Sequence, residues 1–153
     1  YSCFLSETSK TERVNLIKKF LNHAHILKLA KEEATLFFER ENPALISQQM
    51  SKRPDVIITD GKNPVEWYMN GLQGFTEISH SQKIVDTTGA GDAFLSGLIS
   101  KLITSGYPSN KLEIENYIRF ASACGLLTCQ GEGAIEPQPD YEKVSKFLGS
   151  LIS

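Results

Sequence analysis

The sequence lacks the two common glycine-rich nucleotide motifs, a long apolar run and a large excess of either charge. Neither a GxxxxGK[ST] phosphate loop nor a GxGxxG dinucleotide fingerprint occurs. The 153 residues have a formal net charge of −2, so no basic field exists to hold nucleic acid or an anionic membrane. No apolar stretch approaches the roughly 20 residues that span a bilayer. We therefore expect a protein that binds neither nucleic acid nor membrane.

Cysteine is scarce, and its spacing argues against two further classes of protein. The three cysteines, Cys3, Cys124 and Cys129, contain no CxxC pair, so a zinc site or a disulfide framework is not expected. Cys124 and Cys129 lie in an apolar run, which predicts small buried side chains. The segment from Tyr1 to Lys10 has no signal-peptide character and no initiator Met. We expect a cytoplasmic protein whose chain extends before Tyr1.

Apolar periodicity alternates between helical and extended patterns along the chain. Short β-branched runs such as VIIT at residues 56–59 predict strands, and apolar side chains three or four apart predict helices. Asn70-Gly71 is typical of a hairpin turn. This alternation predicts an α/β layered fold. The predicted helices are 11–22, 31–40, 43–51, 93–105, 113–129 and 141–152, and the predicted strands are 24–29, 56–59, 65–69 and 75–78.

The segment DTTGAGDAF at residues 86–94 is the richest in chemistry. Gly89 and Gly91 permit backbone angles that other residues avoid, so successive N–H groups can converge on an anion. The helix predicted after them adds the positive end of its dipole. A phosphate bound here would repel the carboxylate of Asp92. A carboxylate at this position therefore indicates a function, for example deprotonating a substrate hydroxyl. The alternative is that the glycines only form a tight turn and Asp92 only caps a helix.

The whole segment resembles the C-terminal signature Asp-Thr-x-Gly-Ala-Gly-Asp-x-Phe of the ribokinase-type carbohydrate kinases, the phosphofructokinase-B family. Every fixed position of that signature is present. The resemblance implies a ribokinase-like (Rossmann-like) sheet flanked by helices and an ATP-dependent sugar kinase. It further implies that Asp92 is the catalytic base, and that the amides of Gly89, Ala90, Gly91 and Asp92 form an anion hole for the transferred phosphoryl group.

Residues 28–34, KLAKEEA, are similar to the Asn-x-x-Glu segment of the same family. Glu33 stands at the Glu position, and the resemblance implies that it orders Mg²⁺ and its waters near the phosphates. Ala30 replaces the Asn, as a small residue often does in fructokinase-like members, which points to that subgroup. The alternative for Glu33 is a side chain on a solvated helix face.

Two further segments are similar to the parts of the family that contact ATP. Residues 59–61, TDG, follow a predicted buried strand and resemble the Thr-x-Gly turn, which implies that Thr59 and Gly61 approach the phosphates or the ribose. A plain strand-to-turn junction is the alternative. Residues 120–125, FASACG, resemble the fructokinase-like Phe-Ala-Asn-Ala-Cys-Gly helix. Ser122 replaces the Asn there, and the resemblance places Ser122 on the adenine side.

The segment GAI at residues 133–135, followed by Pro139, resembles a family loop that faces a monovalent-cation site. The resemblance therefore implies a K⁺ site formed by backbone carbonyl groups. The candidates for those carbonyls are Asp86, Thr88, Thr128, Gly131 and Gly133.

The resemblance covers essentially the whole chain but only the C-terminal half of the family's length. We expect residues 1–153 to be the ATP-binding and catalytic part, and the N-terminal half to supply most sugar contacts and a small β lid. The resemblance favours a homodimer through that lid. Fructose is the favoured acceptor, while nucleosides, other ketoses and 2-keto-3-deoxy sugar acids stay open. The alternative of a different class is a catalytically silent relative that acts as an interaction or regulatory protein.

Overall fold

The computed structural model of the chain describes residues 7–77, 84–133 and 138–151. Within those ranges the chain forms both helices and strands, in the alternation that the sequence predicts. The helices are α1 (Glu7–Leu21), α2 (Lys31–Phe38), α3 (Pro43–Gln49), α4 (Ala90–Ser105), α5 (Lys111–Thr128) and α6 (Tyr141–Ser150), and the strands are β1 (Ile26–Ala30), β2 (Asp55–Thr59), β3 (Val65–Met69) and β4 (Leu72–Thr76).

The strands form a mixed sheet in the order β1-β2-β3-β4. β1 and β2 run parallel, with Ala30 opposite Thr59, whereas β2 and β3 run antiparallel, with Ile57 opposite Trp67. β2 is buried at every position except its last, and apolar side chains on both of its faces suit a strand covered on both sides. Because β1 and β2 are parallel, their carboxyl ends lie at the same edge of the sheet.

The chain divides into two compact units. The first unit contains the described residues up to Gly61 together with Glu66–Gln73. The second unit contains Lys62–Val65 together with the described residues from Gly74 onward. Each unit has its own apolar core, in which a fully buried Leu or Ile stabilises the fold by about 1.5–3 kcal/mol. The core of the first unit is formed by Leu27, Leu29, Ala34, Ile46, Met50, Val56 and Ile58. That of the second, where α5 packs against α4 and α6, is formed by Ala93, Phe120, Ala123, Cys124, Leu126, Leu127, Val144 and Phe147.

The predicted hairpin turn is confirmed, but the strand after it begins earlier than predicted. Asn70 and Gly71 both have positive φ angles, 50° and 74°, as a two-residue hairpin turn requires. Pairing therefore resumes at once, and β4 is Leu72–Thr76 instead of residues 75–78. Residue 78 itself lies outside the described residues.

The start of α4 is the boundary error that matters for function. The sequence predicts a helix from residue 93, but α4 begins at Ala90. Gly89 is the N-cap and has a left-handed conformation with φ 79°, which a glycine adopts without strain. The glycine segment is therefore the first turn of the helix and not a loop before it.

Cys124 and Cys129 are buried, as their apolar surroundings predict. Burial raises the pKa of the Cys124 thiol to about 11, and it also raises the pKa of the Cys129 thiol. Both side chains therefore stay protonated at neutral pH and act as small apolar packing groups.

Asp55, at the start of β2, is a buried carboxylate that holds the hairpin in place. It is 8% exposed, and its Oδ1 accepts a hydrogen bond from the N–H of Asn70 at 3.0 Å. Its Oδ2 has no hydrogen-bond partner among the described residues. Burial raises the pKa of the Asp55 carboxyl above its ordinary value of 3.8.

The Asp55→Asn variant should be more stable than the wild type at pH 8. Because the pKa of Asp55 is higher in the folded than in the unfolded state, the ionised carboxylate destabilises the fold. Below about pH 4 the carboxyl is protonated in both states and this destabilisation is absent. It grows as the pH rises through the folded-state pKa. The gain in Tm should therefore vanish near pH 4 in thermal denaturation. Asp55→Ala removes the acceptor from Asn70 and should lower the free energy of unfolding by about 1–3 kcal/mol. A lower Tm of Asp55→Asn at pH 8 would contradict this account.

Candidate active site

The glycine turn at the start of α4 presents backbone donors to solvent. The N–H of Ala90 donates to the carbonyl of Thr87 at 3.2 Å, so this amide already has an acceptor. Gly91 and Asp92 follow in the first helical turn, where an α-helix offers no acceptor to N–H groups. Gly89 has no side chain to cap them. Of the four amides predicted for an anion hole, that of Ala90 is thus engaged, whereas those of Gly89, Gly91 and Asp92 have no acceptor among the described residues.

Asp92 lies in the first turn of α4 and is exposed. Within residues 7–77, 84–133 and 138–151, its carboxylate makes no hydrogen bond or ion pair. The N-cap of α4 is Gly89, and no side chain caps this helix. The alternative that Asp92 serves as the helix cap is therefore wrong. The carboxylate keeps both oxygens available at the positive end of a helix dipole.

Asp86, the first aspartate of the segment, has an environment quite unlike that of Asp92. Its Oδ1 accepts hydrogen bonds from the N–H and the hydroxyl of Thr88, at 2.9 and 2.7 Å. Its Oδ2 accepts the N–H of Gly133 at 3.1 Å. These bonds, led by the Thr88 amide, lower the pKa of the Asp86 carboxyl. Asp86 is therefore ionised, and its hydrogen bonds join its own loop to the loop that contains Gly133.

The same loops bring together the residues predicted for a K⁺ site. The carbonyl of Cys129 accepts the N–H groups of Val85 and Asp86, at 2.8 and 3.3 Å, and the carbonyl of Thr128 accepts the N–H of Gly131 at 3.4 Å. The segments around residues 86–88 and 128–133 thus lie side by side. The role of their carbonyls as K⁺ ligands stays a prediction.

α5 contacts the start of α4 through a glycine. A Cβ atom added at Gly125 would lie 2.9 Å from the carbonyl oxygen of Ala90, closer than real Cβ atoms approach. Gly125 is therefore what allows α5 to pack against the glycine turn at the start of α4. Ser122, predicted for the adenine side, has a buried Oγ with no hydrogen-bond partner among the described residues. A buried hydroxyl of this kind is unusual, and the contact of Ser122 with adenine stays a prediction.

Gly125→Ala should displace the first turn of α4. The new methyl group meets backbone and not a flexible side chain, so the free energy of unfolding should fall by about 1–3 kcal/mol in chemical denaturation. Gly149→Ala is the matched control, since a Cβ there would meet no described atom within 4 Å apart from its chain neighbours and the backbone of its own helix. A helical alanine should stabilise α6 by up to about 1 kcal/mol. Equal stability of the two variants would refute the contact.

Glu33 and Ala30 form the beginning of α2. Glu33 Oε2 accepts the N–H of Ala30 at 2.8 Å. Ala30 is the N-cap, but its methyl side chain cannot accept a hydrogen bond in return, so Glu33 alone caps this end of the helix. Glu33 is exposed, as the solvated-face alternative predicts, but it also has this structural task. The proposed contact with Mg²⁺ stays a prediction.

The turn at residues 59–61 lies at the carboxyl end of β2, directly beside the start of α2. Thr59 pairs with Ala30 in the sheet, and its hydroxyl donates to the carbonyl of Leu29 at 3.4 Å. Gly61 has φ 53°, and a Cβ added there would have no atom of another described part of the chain within 4 Å, so that side of the turn is open. Ligands of α/β sheets bind at this kind of edge.

The sequence did not predict the ion pairs of Lys31. Lys31 Nζ lies 3.2 Å from Asp60 Oδ2 and 3.5 Å from Glu41 Oε2. The signal was present in principle, because Lys31 directly follows β1 and Asp60 directly follows β2. It becomes visible only when the parallel register of the two strands is known.

Comparison with known proteins shows to which family the chain belongs. The pfkB family carbohydrate kinase profile matches residues 4–141, which is most of the chain. The chain belongs to the pfkB family. It is 29% identical to "Probable fructokinase-7" of Arabidopsis thaliana over 143 residues, which are 90% of this chain and 41% of that protein.

Similar solved structures confirm the ribokinase-like α/β fold. The fructokinase of Xylella fastidiosa with bound ATP superimposes with a TM-score of 0.80 at 24% identity, covering 92% of this chain and 47% of that one. The fructokinase of Vibrio cholerae O395 with fructose, ADP and calcium ion gives 0.77 at 25% identity, covering 90% and 45%. The chain thus spans about half the length of the relatives it matches.

Within residues 7–77, 84–133 and 138–151, no cluster of three or more His, Cys, Asp or Glu side chains could hold a metal ion by itself. No helix in those ranges has the length and apolar character that a bilayer span requires.

Proposed function

We propose that the full-length protein is a cytoplasmic, ATP-dependent carbohydrate kinase that transfers the γ-phosphate to a sugar hydroxyl, with a fructose-like sugar as the acceptor. The observation that carries the proposal is Asp92, an exposed carboxylate in the first turn of a glycine-capped helix. It makes no hydrogen bond or ion pair to other described residues. The pfkB family match and the fructokinase names of the relatives support the choice of reaction and acceptor.

The geometry suggests how the chain's residues divide the reaction. The Asp92 carboxylate accepts the proton of the acceptor hydroxyl, whose oxygen forms the new bond to the γ-phosphorus of ATP while the bond from that phosphorus to the bridging oxygen breaks, releasing ADP. The amides of Gly89, Gly91 and Asp92, with the dipole of α4, stabilise the charge on the transferred group. No covalent intermediate with the protein is required.

The carboxylate of Glu33 fits a Mg²⁺ ion of the kind used in phosphoryl transfer. One of its oxygens is engaged with Ala30, and the other has no partner among the described residues. Mg²⁺ in such sites is held by one or two carboxylates together with phosphate oxygens and water, so a single exposed glutamate is sufficient on the protein side. When bound, the ion neutralises charge on the phosphates.

The carbonyls of Asp86, Thr88, Thr128, Gly131 and Gly133 are the proposed ligands of a K⁺ ion beside the anion-binding turn. Asp86 fits this arrangement because its bonds to Thr88 and Gly133 hold two of the loops together. The part of the protein beyond this chain is proposed to supply most sugar contacts and a lid through which a homodimer forms.

Asp92→Ala in the full-length protein should lower kcat by about 10²–10⁴-fold, the contribution typical of a general base. The Kd for ATP should stay near that of the wild type, since the amides and the fold are kept. The matched control is Asp140→Asn. Asp140 also starts a helix, where its Oδ1 accepts the N–H of Lys143, and asparagine caps equally well. Wild-type turnover by Asp92→Ala would disprove the assignment.

The Glu33→Gln variant distinguishes the proposed role of Glu33 in Mg²⁺ binding from its role in capping α2. Glutamine can still accept the N–H of Ala30, so the free energy of unfolding should fall only by about 0.3–1 kcal/mol, the contribution of a first-turn negative charge. The lost charge should raise the Mg²⁺ concentration for half-maximal rate by about tenfold. Glu32→Gln, at the neighbouring exposed glutamate, should lower stability by a similar amount and leave the Mg²⁺ requirement unchanged. An unchanged Mg²⁺ requirement in Glu33→Gln would limit Glu33 to capping.

A panel of sugars, nucleosides and sugar acids, assayed with ATP, Mg²⁺ and K⁺, tests the proposed acceptor. Ala30 and Ser122, which depart from the family pattern, favour the catalytically silent alternative. Turnover of one sugar supports the kinase proposal and identifies the acceptor. ATP binding without turnover of any acceptor would instead favour an interaction or regulatory protein.

A further inference from the structure

Lys31 lies in a small charged cluster outside the residues that the proposed function uses. Its Nζ contacts Asp60 Oδ2 at 3.2 Å and Glu41 Oε2 at 3.5 Å. The Lys31 side chain is 41% exposed and that of Asp60 30%. Glu41 is further held by a hydrogen bond from the Thr35 hydroxyl at 3.2 Å. The hydrogen bond to Asp60 and the charge of Glu41 raise the pKa of Lys31, which is therefore a cation at neutral pH.

The cluster lies at the functional edge of the sheet. Lys31 is the first residue of α2, directly after β1, and Asp60 directly follows β2. Ala30 and Thr59, which precede them, are paired in the parallel register, so Lys31 and Asp60 stand side by side at the carboxyl ends of the two strands. Asp60 is also the central residue of the turn between Thr59 and Gly61.

A carboxylate in that turn conflicts with the proposed task of the turn. The proposed function places the negatively charged phosphates of ATP near Thr59 and Gly61, and a carboxylate within a few ångströms of them would repel them. Lys31, at ion-pair distance, offsets the charge of Asp60, although it shares its own charge with Glu41. The contact with Glu41 also restrains the position of the Lys31 amine.

We propose that Lys31 is a positioning residue for the nucleotide: by neutralising Asp60 it allows the triphosphate of ATP to bind at the Thr59–Gly61 turn. This inference rests on the proposed function. The effect on the nucleotide passes through Asp60, so the consequences of removing Lys31 depend on whether Asp60 still carries its charge.

ATP binding to the full-length protein, measured by calorimetry at low and at high salt, tests this dependence. Lys31→Met should raise the Kd for ATP by about tenfold at low salt and by less at high salt, because salt screens the uncovered charge. Asp60→Asn added to Lys31→Met should restore the wild-type Kd. Adenosine, which has no phosphates, should bind all of these variants alike. Lys31→Gln is a second single variant that removes the same charge. The Tm of every variant is measured to show that it is folded.

The matched control is Lys111→Met. Lys111 is also the first residue of a helix and also forms an ion pair, with Glu115 Oε1 at 3.8 Å. Its loss should leave the Kd for ATP unchanged.

Three outcomes would overturn the proposal. If the double variant binds ATP as weakly as Lys31→Met, the ion pair acts by holding the two segments in place and not by offsetting charge. Equal weakening of adenosine and ATP would mean a general distortion of the site. A full-length wild type that binds no ATP would overturn this inference and the proposed function together. Normal ATP binding without turnover would contradict only the sugar-kinase assignment.

Discussion

The close approach of α4 and α5 is the constraint on which the candidate site depends. A Cβ at Gly97 would lie 2.7 Å from the sulfur of Cys124, and one at Gly125 would lie 2.9 Å from the carbonyl of Ala90. Glycine at both positions lets the two helices pack almost backbone to backbone. Because packed interiors resist small displacements, α5 fixes where α4 begins and in which direction its first-turn amides point. The proposed chemistry at Asp92 therefore depends on helix packing that two glycines make possible.

Asp86 and Asp92 belong to one short segment, yet their surroundings suit them to opposite tasks. Asp86 accepts three hydrogen bonds, which lower its pKa and fix its carboxylate. A group so engaged is a poor proton acceptor, because protonation would break those bonds. Asp92 makes no such bond within the described residues. The choice of Asp92 as the base therefore has a physical reason in the structure, independent of the family signature.

Local features of this protein could be predicted from the sequence, and features that depend on strand register could not. Asn70-Gly71 predicted its turn, and the buried β2 followed from a β-branched run, because both depend on neighbouring residues alone. The start of α4 was placed three residues late, since glycine usually opposes a helix and here one caps it. The contact of Lys31 with Asp60 joins residues 29 positions apart. It arises from the parallel pairing of two strands, which no local pattern contains.

Ala30 stands where the family pattern has Asn, and Glu33 compensates for the missing side-chain cap at the start of α2. An asparagine at an N-cap would accept a hydrogen bond from the first turn, which alanine cannot do. Glu33 supplies the other half of a capping box, and its negative charge is favourable at the positive end of the helix. The carboxylate is held in one orientation by that bond while its second oxygen is spared. The substitution thus removes one donor–acceptor contact at the sheet edge and leaves the proposed metal-ordering group in place, so Ala30 by itself is a weak argument for a silent protein.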